Sequence, residues 1–404
     1  MNHYDAVIIG GGAAGLMCGI SAKQKNFNKR IALIEKNDRV GKKLLSTGNG
    51  RCNLTNQNLS IDRYSGSFIE QAEYIFEKYT TEYLIEIFRN LGLLTYSDSE
   101  GRYYPLCRQA SAVLDVLRFA CDRLGVDIFL NQSIRTLKKQ KNKFLVNTEN
   151  NEFLSDKLVI ACGSKAAPKL GGNASGADYM KNFGHSVLPF SPALCPIKVK
   201  SDVLKSLKGI RASAFAVLID RNGNKIKSER GEVQFTDNAL SGICIFNLSI
   251  YAKKGYEILL DLMPDISYNE LSIILQKQKN LFASHTLDYI FTGMLHKRLA
   301  QAILKTSEIN SFSKLCADIS EKELKAICRT VKSMRFEITD KEGFDKSQCA
   351  SGGVYGSEIN EKTMQSKFVK GLYIVGEAID ICGECGGFNL HFAFSSGHIA
   401  GENL

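Results

Sequence analysis

The stretch YDAVIIGGGAAG, residues 4–15, decides the fold. Its first half is an apolar run rich in β-formers, which predicts a buried strand. The glycines that follow, Gly10, Gly12 and Gly15, have the G-x-G-x-x-G spacing of a strand that turns into a helix. Gly10 permits the tight turn, Gly12 leaves space for a pyrophosphate, and Gly15 lets the helix pack closely on the strand. The N-terminus of the helix would then face phosphates.

A second strand supports this interpretation. The pattern predicts a helix over residues 13–24 and a strand over residues 30–34 that ends in Glu35. An acidic residue about 20 positions after the last glycine typically binds ribose hydroxyls. The combination predicts dinucleotide binding. The alternative, a glycine-rich turn in another doubly wound sheet, leaves Glu35 unexplained.

Length and composition indicate a protein of two or three domains. The chain has 404 residues, of which 44% are hydrophobic and 23% charged. No apolar run is long enough to span a membrane, and the N-terminal run, which contains Asp5 and ends in glycines, does not resemble a signal peptide. We therefore expect a cytoplasmic protein whose 12 cysteines are reduced thiols.

The net charge of +10 is unevenly distributed. Residues 198–230 contain nine Lys or Arg against three acids, and residues 135–143 contain five with no acid. Each run alone is more typical of a solvated face. Together they make an anionic partner, including RNA, a hypothesis.

The order of patterns along the chain predicts a split α/β protein. Residues 40–56 are predicted to form a ligand-shaped loop, residues 101–105 a turn, and the stretch after residue 188 an antiparallel sheet or barrel, followed by helices over residues 265–331. The predicted domains are a first part of the nucleotide-binding domain (1–188), an inserted β-barrel (189–264), a helical domain (265–331), a barrel return (332–348) and the second part of the nucleotide-binding domain (349–404).

The C-terminal segment favours FAD over NAD. Residues 371–380, GLYIVGEAID, predict a strand that ends at Gly376 and Glu377, a carboxylate position typical of flavoproteins. Gly386 and Gly387 then open a helix whose N-terminus would stabilise the reduced flavin. No second G-x-G-x-x-G follows a strand, so NAD(P)H would bind only transiently as an electron donor.

Seven motifs carry a resemblance to a known family. They are GGGAAG (10–15), TGNGRCNLTN (47–56), GRYYP (101–105), ACGSKAAP (161–168), GEVQFT (231–236), TMQSK (363–367) and GEAIDICGECGGFNLHFAFSSG (376–397). Through them the chain resembles the YhiN/BaiN-like (aminoacetone oxidase-like) flavoproteins over nearly its whole length. The resemblance implies a split Rossmann-like FAD-binding domain with an inserted antiparallel β-barrel and a helical subdomain, and a flavin ring that faces the insertion.

The resemblance determines the cofactor but not the substrate. Family members are linked to amine oxidation, to reduction of a conjugated steroid double bond and to reduction of a uridine in ribosomal RNA. This chain also departs from the family pattern: FTHxGxSGP is replaced by FTDNALSGI at residues 235–243, and GSTGDG by GNASG at residues 172–176. Both departures are expected where the insertion meets the FAD domain.

Sequence reasoning leaves few candidates for catalysis. Cys52 could protonate a substrate carbon, and the neighbouring Arg51 would favour its thiolate. The simpler interpretation is that Cys52 only packs and that Arg51 and Asn53 contact FAD. His391 could contact the flavin or be structural. Cys382 and Cys385 form a C-x-x-C with a redox or a packing role. No metal site is expected. Arg102 and Tyr104 could line the substrate cavity.

The sequence thus predicts an FAD-dependent oxidoreductase that moves a hydride between flavin N5 and an unsaturated or amine substrate at the interface of the FAD domain and the insertion. The alternatives are a flavin-dependent reductase of ribosomal RNA uridine and a non-catalytic flavin-holding protein, and the partner is a small molecule or ribosomal RNA. The cofactor-binding candidates are Gly10, Gly12, Ala13, Ala14, Gly15, Glu35, Lys36, Lys43, Thr47, Gly48, Gly50, Arg51, Cys52, Asn53, Ile134, Ala161, Gly163, Gly376, Glu377, Gly386, Gly387, Phe388 and Asn389.

Overall fold

A computed structural model describes residues 2–309, 311 and 313–404. The chain forms two compact units, one made of Met1–Ala193 with Phe344–Leu404 and the other of Leu194–Gly343. Residues 310 and 312, within the predicted helical region, lie outside the described residues. In the described part of the chain, no helix is both long and apolar enough to cross a bilayer.

The helices and strands are numbered in chain order. The helices are Ala13–Lys25 (α1), Lys42–Ser46 (α2), Ile69–Lys78 (α3), Thr81–Asn90 (α4), Ala110–Leu124 (α5), Ser175–Asn182 (α6), Ile243–Ser249 (α7), Tyr268–Leu281 (α8), Lys297–Thr306 (α9), Glu321–Lys332 (α10) and Phe388–Glu402 (α11). The strands are Asn2–Ile9 (β1), Ile31–Ile34 (β2), Thr55–Asn56 (β3), Tyr64–Ser65 (β4), Thr95–Ser97 (β5), Arg102–Pro105 (β6), Asp127–Phe129 (β7), Ile134–Gln140 (β8), Lys143–Thr148 (β9), Glu152–Ile160 (β10), Val187–Ala193 (β11), Ile197–Lys200 (β12), Arg211–Ile219 (β13), Lys225–Phe235 (β14), Ala239–Ser241 (β15), Glu257–Asp261 (β16), Met334–Lys341 (β17), Cys349–Val354 (β18), Leu372–Ile374 (β19) and Cys382–Gly383 (β20).

The first unit is built on a mixed sheet in the order β7-β2-β1-β10-β9-β8, with β19 paired to β10. The strands β7, β2, β1, β10 and β19 run parallel, and β9 and β8 continue as an antiparallel hairpin. In the register, Ile9 lies opposite both Ile34 and Ile160, so three strands end at the same edge. Ligands bind at the carboxyl ends of parallel strands in this class of fold.

Helices α1 and α11 lie against each other because glycines remove the side chains between them. A Cβ at Gly397 would stand 2.3 Å from the carbonyl oxygen of Ala14, and one at Gly401 would stand 2.5 Å from that of Cys18. Both helices are therefore buried over most of their length. This contact packs α1, from the first chain segment of the unit, against α11, from its second segment.

The second unit contains a closed barrel in the order β12-β15-β14-β13-β16-β17. Helices α8, α9 and α10 bury apolar residues in the core of this unit, including Leu271, Leu275, Leu299 and Ile303. The predicted fold class, a Rossmann-like α/β protein with an antiparallel barrel and helices, is confirmed.

Several local predictions differ from the structure. Residues 102–105, predicted as a turn, form β6, which pairs with β3 and β5. The predicted loop 40–56 contains α2 and a 3-10 turn, Thr47–Gly50. The predicted boundary at 188/189 lies inside β11, which belongs to the first unit because it pairs with β18, and the first unit resumes at Phe344 rather than at residue 349.

Candidate functional site

The glycine fingerprint leaves open space at the start of α1. Gly10 has φ +112°, and a Cβ there would stand 2.3 Å from the carbonyl oxygen of Ala161, while a Cβ at Gly15 would stand 1.9 Å from that of Gly10. In contrast, a Cβ at Gly12 would meet nothing within 4 Å. No side chain caps the first turn of α1, and it holds no acidic residue. The N-terminus of α1, which begins at Ala13, can therefore receive an anion.

Glu35 connects the end of β2 to the glycine turn. Its buried carboxylate accepts hydrogen bonds from the main-chain N–H of Gly11 at 2.8 Å and from both the main-chain and side-chain nitrogens of Asn37, at 2.9 and 2.6 Å. The two carboxylate oxygens thus hold the glycine turn and the segment after β2 in place. A ribose hydroxyl would donate to the same oxygens. The neighbouring Lys36 is exposed.

A second carboxylate lies on the other side of the helix start. Glu377 pairs with Lys43 at 2.5 Å and accepts a hydrogen bond from the N–H of Ala350 at 3.0 Å. Gly376 has φ +64°, and a Cβ there would stand 3.0 Å from the Cβ of Ala14. A Cβ at Gly163 would stand 4.0 Å from Glu377 Oε2. The predicted residues Lys43, Gly163, Gly376 and Glu377 therefore converge beside α1.

The loop over residues 47–53 holds an unusual backbone. Gly48, Asn49, Gly50 and Cys52 all have φ between +55° and +80°. The Thr47 hydroxyl donates to the carbonyl of Leu44, and a Cβ at Gly50 would meet nothing within 4 Å. The loop thus presents main-chain groups to open space next to α2.

This loop contacts the glycines that precede α11. A Cβ at Gly387 would stand 2.6 Å from the carbonyl oxygen of Thr55 and 2.7 Å from Asn53 Oδ1. The Asn56 amide donates to the carbonyl of Gly386 at 3.0 Å. Within the described residues, Asn53 Oδ1 is buried and has no hydrogen-bond partner. An unpaired buried acceptor is costly, so a donor from a bound group fits this position.

Two further contacts fix the start of α11. The Asn389 amide donates to the carbonyl of Gly383 at 2.7 Å and accepts from its N–H at 2.8 Å. The Tyr64 hydroxyl donates to the carbonyl of Phe388 at 2.8 Å. The segment from Gly386 to Asn389 is therefore held rigidly against the 47–56 loop.

The surroundings of Cys52 bear on the choice between packing and proton transfer. Its side chain is fully buried, and burial raises the pKa of the thiol to about 12, although the Thr47 hydroxyl opposes the shift. Arg51 does not stabilise a thiolate here, since its guanidinium lies 4.7 Å from the ring centre of Tyr104 and its Nε donates to the carbonyl of Gly48. Burial therefore outweighs the neighbouring charge, and the contacts favour packing over a reactive thiolate for Cys52.

His391 is likewise a structural residue. It is fully buried, its Nε2 lies 2.9 Å from the carbonyl oxygen of Tyr79, and its Nδ1 lies 2.8 Å from the Thr55 hydroxyl. Because a carbonyl only accepts, Nε2 carries the proton and Nδ1 accepts from Thr55. Burial lowers the pKa of His391 to about 4, so the ring is neutral and both nitrogens are occupied. A catalytic role for His391 is inconsistent with these contacts.

Other predicted residues take supporting positions. Ile134 begins β8 and packs, half-buried, against the core, and Ala161 follows β10. Arg102 pairs with acidic residues of its own turn, Asp98 and Glu100, rather than being free to bind a substrate.

Sequence reasoning missed the segment at the start of β18. Ala350 donates to Glu377, and the N–H of Gly352 donates to Asp380 Oδ1 at 2.8 Å, while Asp380 Oδ2 accepts from Ser67 at 2.7 Å. The available signal was the adjacent pair Gly352 and Gly353, both with positive φ, which marks a close backbone approach.

Comparison with known proteins supports this geometry. The model of the HI0933-like protein Rossmann domain matches residues 4–403. The chain belongs to this family. It is 32% identical over 402 residues to the 3-dehydro-bile acid delta(4,6)-reductase of Clostridium scindens, covering 98% of this chain and 97% of the relative. It is 28% identical over 406 residues to the ribosomal RNA dihydrouridine synthase of Escherichia coli, covering 100% and 98%.

A solved structure shows the same fold. The 3-ketosteroid-delta4-(5alpha)-dehydrogenase of Rhodococcus jostii RHA1 superposes with a TM-score of 0.51 at 12% identity, covering 100% of this chain and 96% of that chain. The predicted family membership and the predicted class, a flavin-dependent oxidoreductase, are confirmed by the family model and the Clostridium scindens relative.

Proposed function

We propose that the protein binds FAD and reduces a conjugated carbon–carbon double bond in an apolar small molecule. The observation that carries the cofactor assignment is the convergence of separated glycine segments on one site. Gly12 leaves space at the start of α1, Gly376 and Glu377 lie beside it, and Gly387 meets Asn53 on the far side of the 47–53 loop. An extended dinucleotide needs contacts of this kind at several points.

Each set of residues has a distinct role in this proposal. The start of α1 binds the pyrophosphate through main-chain N–H groups, and Glu35 orients a ribose. Glu377, neutralised by Lys43, binds the ribityl or ribose hydroxyls. Asn53 and the N–H groups near Gly387 would hold the pyrimidine edge of a bound flavin, where negative charge develops on reduction. The bound flavin supplies the hydride.

The substrate assignment follows the relative with the higher identity. That protein is named a 3-dehydro-bile acid delta(4,6)-reductase, and the chain covers 97% of it. After hydride transfer, a general acid must protonate the other carbon of the double bond. In this proposal that acid is not Cys52, since its thiol is buried and has a pKa of about 12.

The first test is spectroscopic. Purified protein is loaded with FAD, titrated anaerobically with NADH or NADPH, and then mixed with a steroid dienone. We expect flavin bands that bleach with a nicotinamide and return when the dienone is added. Bands that bleach only with an amine and return at once in oxygen would contradict the reductase assignment.

A matched pair of variants tests the binding site. Glu377→Gln removes the partner of Lys43, and we expect FAD affinity to fall at least tenfold, or about 1.4 kcal/mol. Glu321→Gln replaces an exposed carboxylate in the first turn of α10, in the second unit, and serves as the control. Equal FAD affinity in both variants would contradict the assignment of Glu377.

Reduction of a uridine in ribosomal RNA is the second candidate, favoured by the name of the Escherichia coli relative and by the basic residues 198–230. At least four of the nine cations in that run already pair with carboxylates: Lys198 with Glu342, Lys208 with Asp237, Arg211 with Glu232 and Arg230 with Asp265. This pairing weakens the electrostatic argument for RNA. RNA affinity that falls steeply with salt, together with dihydrouridine formation, would favour this candidate over the small molecule.

A further inference from the structure

Two cysteine sulfurs lie in contact inside the first unit. The Sγ atoms of Cys349 and Cys382 are 3.1 Å apart, and these residues are 3% and 1% exposed. Cys349 begins β18 and Cys382 begins β20, so the contact joins two strands that are 33 residues apart in the chain. The sulfurs of a disulfide are 2.03–2.05 Å apart, so bond formation requires them to approach by about 1 Å.

The two segments are already held side by side by other contacts. Next to Cys349, the N–H of Ala350 donates to Glu377, and further along β18 the N–H of Gly352 donates to Asp380. The N–H of Asp380 donates in turn to the carbonyl of Val354 at 3.0 Å. Cys349 and Cys382 therefore face each other across a preformed pair of segments, and no element has to unfold for their sulfurs to meet.

The sulfur–sulfur contact distinguishes this pair from four other cysteines. The sulfurs of Cys121, Cys162, Cys244 and Cys316 lie against main-chain carbonyls, as expected for cysteines that only pack. The sequence pairs Cys382 with Cys385 through a C-x-x-C pattern, but the structure brings Cys382 a second thiol from a different strand.

We propose that Cys349 and Cys382 are a redox-active thiol pair that hydrogen peroxide converts into an intramolecular disulfide. One thiol sulfur attacks the peroxide, the O–O bond breaks, and a sulfenic acid and one water form. The second thiol sulfur then attacks the sulfenic sulfur, the S–S bond forms, the S–O bond breaks, and a second water leaves. Overall, two thiols lose two electrons and two protons, and the peroxide is reduced to two waters.

The surroundings determine how fast this step runs. Burial raises the pKa of Cys349 well above its ordinary value, and Cys382 and Glu377 raise it further, whereas Lys43 lowers it. Because the thiolate is the nucleophile, oxidation of the pair is slow at neutral pH and faster in alkaline solution. The disulfide would link two segments that flank Glu377. Cys349 adjoins Ala350, whose N–H donates to Glu377, and Cys382 lies after Glu377 in the chain.

Peptide mapping of the full-length protein tests the proposal directly. Protein is treated with hydrogen peroxide in alkaline buffer, where more of the buried thiol is ionised, then blocked with N-ethylmaleimide in denaturant and digested. The peptides are examined by mass spectrometry before and after reduction with dithiothreitol. We expect a cross-linked peptide pair containing Cys349 and Cys382, two mass units lighter than the two reduced peptides together, which disappears on reduction. The exposed Cys107 reports that the oxidant has reached the protein.

Variants provide the control. Cys349→Ser and Cys382→Ser should each abolish the cross-linked peptide pair and leave the partner cysteine open to N-ethylmaleimide in denaturant. The control is Cys121→Ser, at a buried cysteine whose sulfur lies against the carbonyl of Leu16, and this variant should retain the cross-linked pair. If both cysteines of the wild-type protein are alkylated after Cys107 is fully oxidised, or if Cys382 is found joined to Cys385 instead, the proposal is overturned. The wild-type map requires no variant to fold, so the test stands even if the serine variants are unstable.

Discussion

The turn at residues 10–12 and the loop at residues 47–53 are both rich in glycine, but they carry backbone strain differently. In the first, the left-handed conformation falls on Gly10, with φ +112°. In the second, it falls also on Asn49 and Cys52, with φ of +55° and +60°. For residues with a side chain this conformation costs on the order of 1 kcal/mol each, and the surrounding structure must impose it.

The two backbone conformations have different origins. The first turn follows from local rules, because a residue without a Cβ stands at the position that requires a positive φ. The shape of the second loop depends also on a tertiary contact at its end, where Gly387 approaches Thr55 and Asn53. Four substitutions can break or sharpen this comparison.

The largest effect is expected from Gly15→Ala in α1, whose Cα faces the first turn at Gly10. The new Cβ would stand 1.9 Å from the carbonyl oxygen of Gly10, a main-chain atom that cannot move aside without shifting α1 against β1. We expect the free energy of unfolding to fall by about 3 kcal/mol or more. Urea unfolding followed by circular dichroism measures this, and a loss below about 1 kcal/mol would contradict the local origin of the shape.

His391→Gln tests the tertiary support of the second loop. His391 accepts from Thr55, which follows that loop, and its pKa is lowered from 6.5 to about 4 by burial, against the opposing influence of the Tyr79 carbonyl and Glu82. Since the unfolded chain binds the proton more tightly, the contribution of the neutral ring is complete above pH 6.5 and is lost as the pH falls toward 4. The loss amounts to roughly 3 kcal/mol.

The measurement is the difference in unfolding free energy between wild type and His391→Gln across this pH range. The carboxylates common to both proteins cancel in the difference, which should shrink as the pH falls. We expect flavin reduction by a nicotinamide to be retained in the variant at pH 7.5. A difference that is constant with pH would show that His391 is not buried as a neutral ring.

Gly12→Ala is the counterpart of Gly15→Ala within the same fingerprint. Because the new Cβ meets nothing within 4 Å, the unfolding free energy of the protein without cofactor should change by less than about 1 kcal/mol. The methyl group would occupy the space that we assign to the pyrophosphate, so FAD affinity should fall about tenfold or more, measured by equilibrium fluorescence titration. Unchanged affinity would place the phosphates elsewhere.

The same contrast explains how much the sequence could predict. Short sequence patterns predicted the sheet edge, the glycines between Gly10 and Gly15, and the carboxylates Glu35 and Glu377. In these patterns the spacing of residues along the chain determines their local geometry. The buried state of Cys52 and His391 does not follow from such patterns, because it depends on residues far apart in the chain: Thr55 and Tyr79 surround a histidine of α11. The contact of Cys349 with Cys382 is likewise tertiary, and the sequence offered the nearer Cys385 as the partner.

The smallest effect is expected from Asn49→Gly in the second loop. Glycine removes the cost of the left-handed conformation at φ +55°, but it also gives the unfolded chain more conformations, and asparagine tolerates this region better than most residues. These contributions nearly cancel, so the unfolding free energy should change by less than about 0.5 kcal/mol. Urea unfolding in parallel with Cys52→Gly, which also removes a buried side chain, separates the backbone contribution from the packing contribution. A loss above about 1 kcal/mol for Asn49→Gly would mean that the asparagine side chain, and not the distant contacts, determines the shape of the loop.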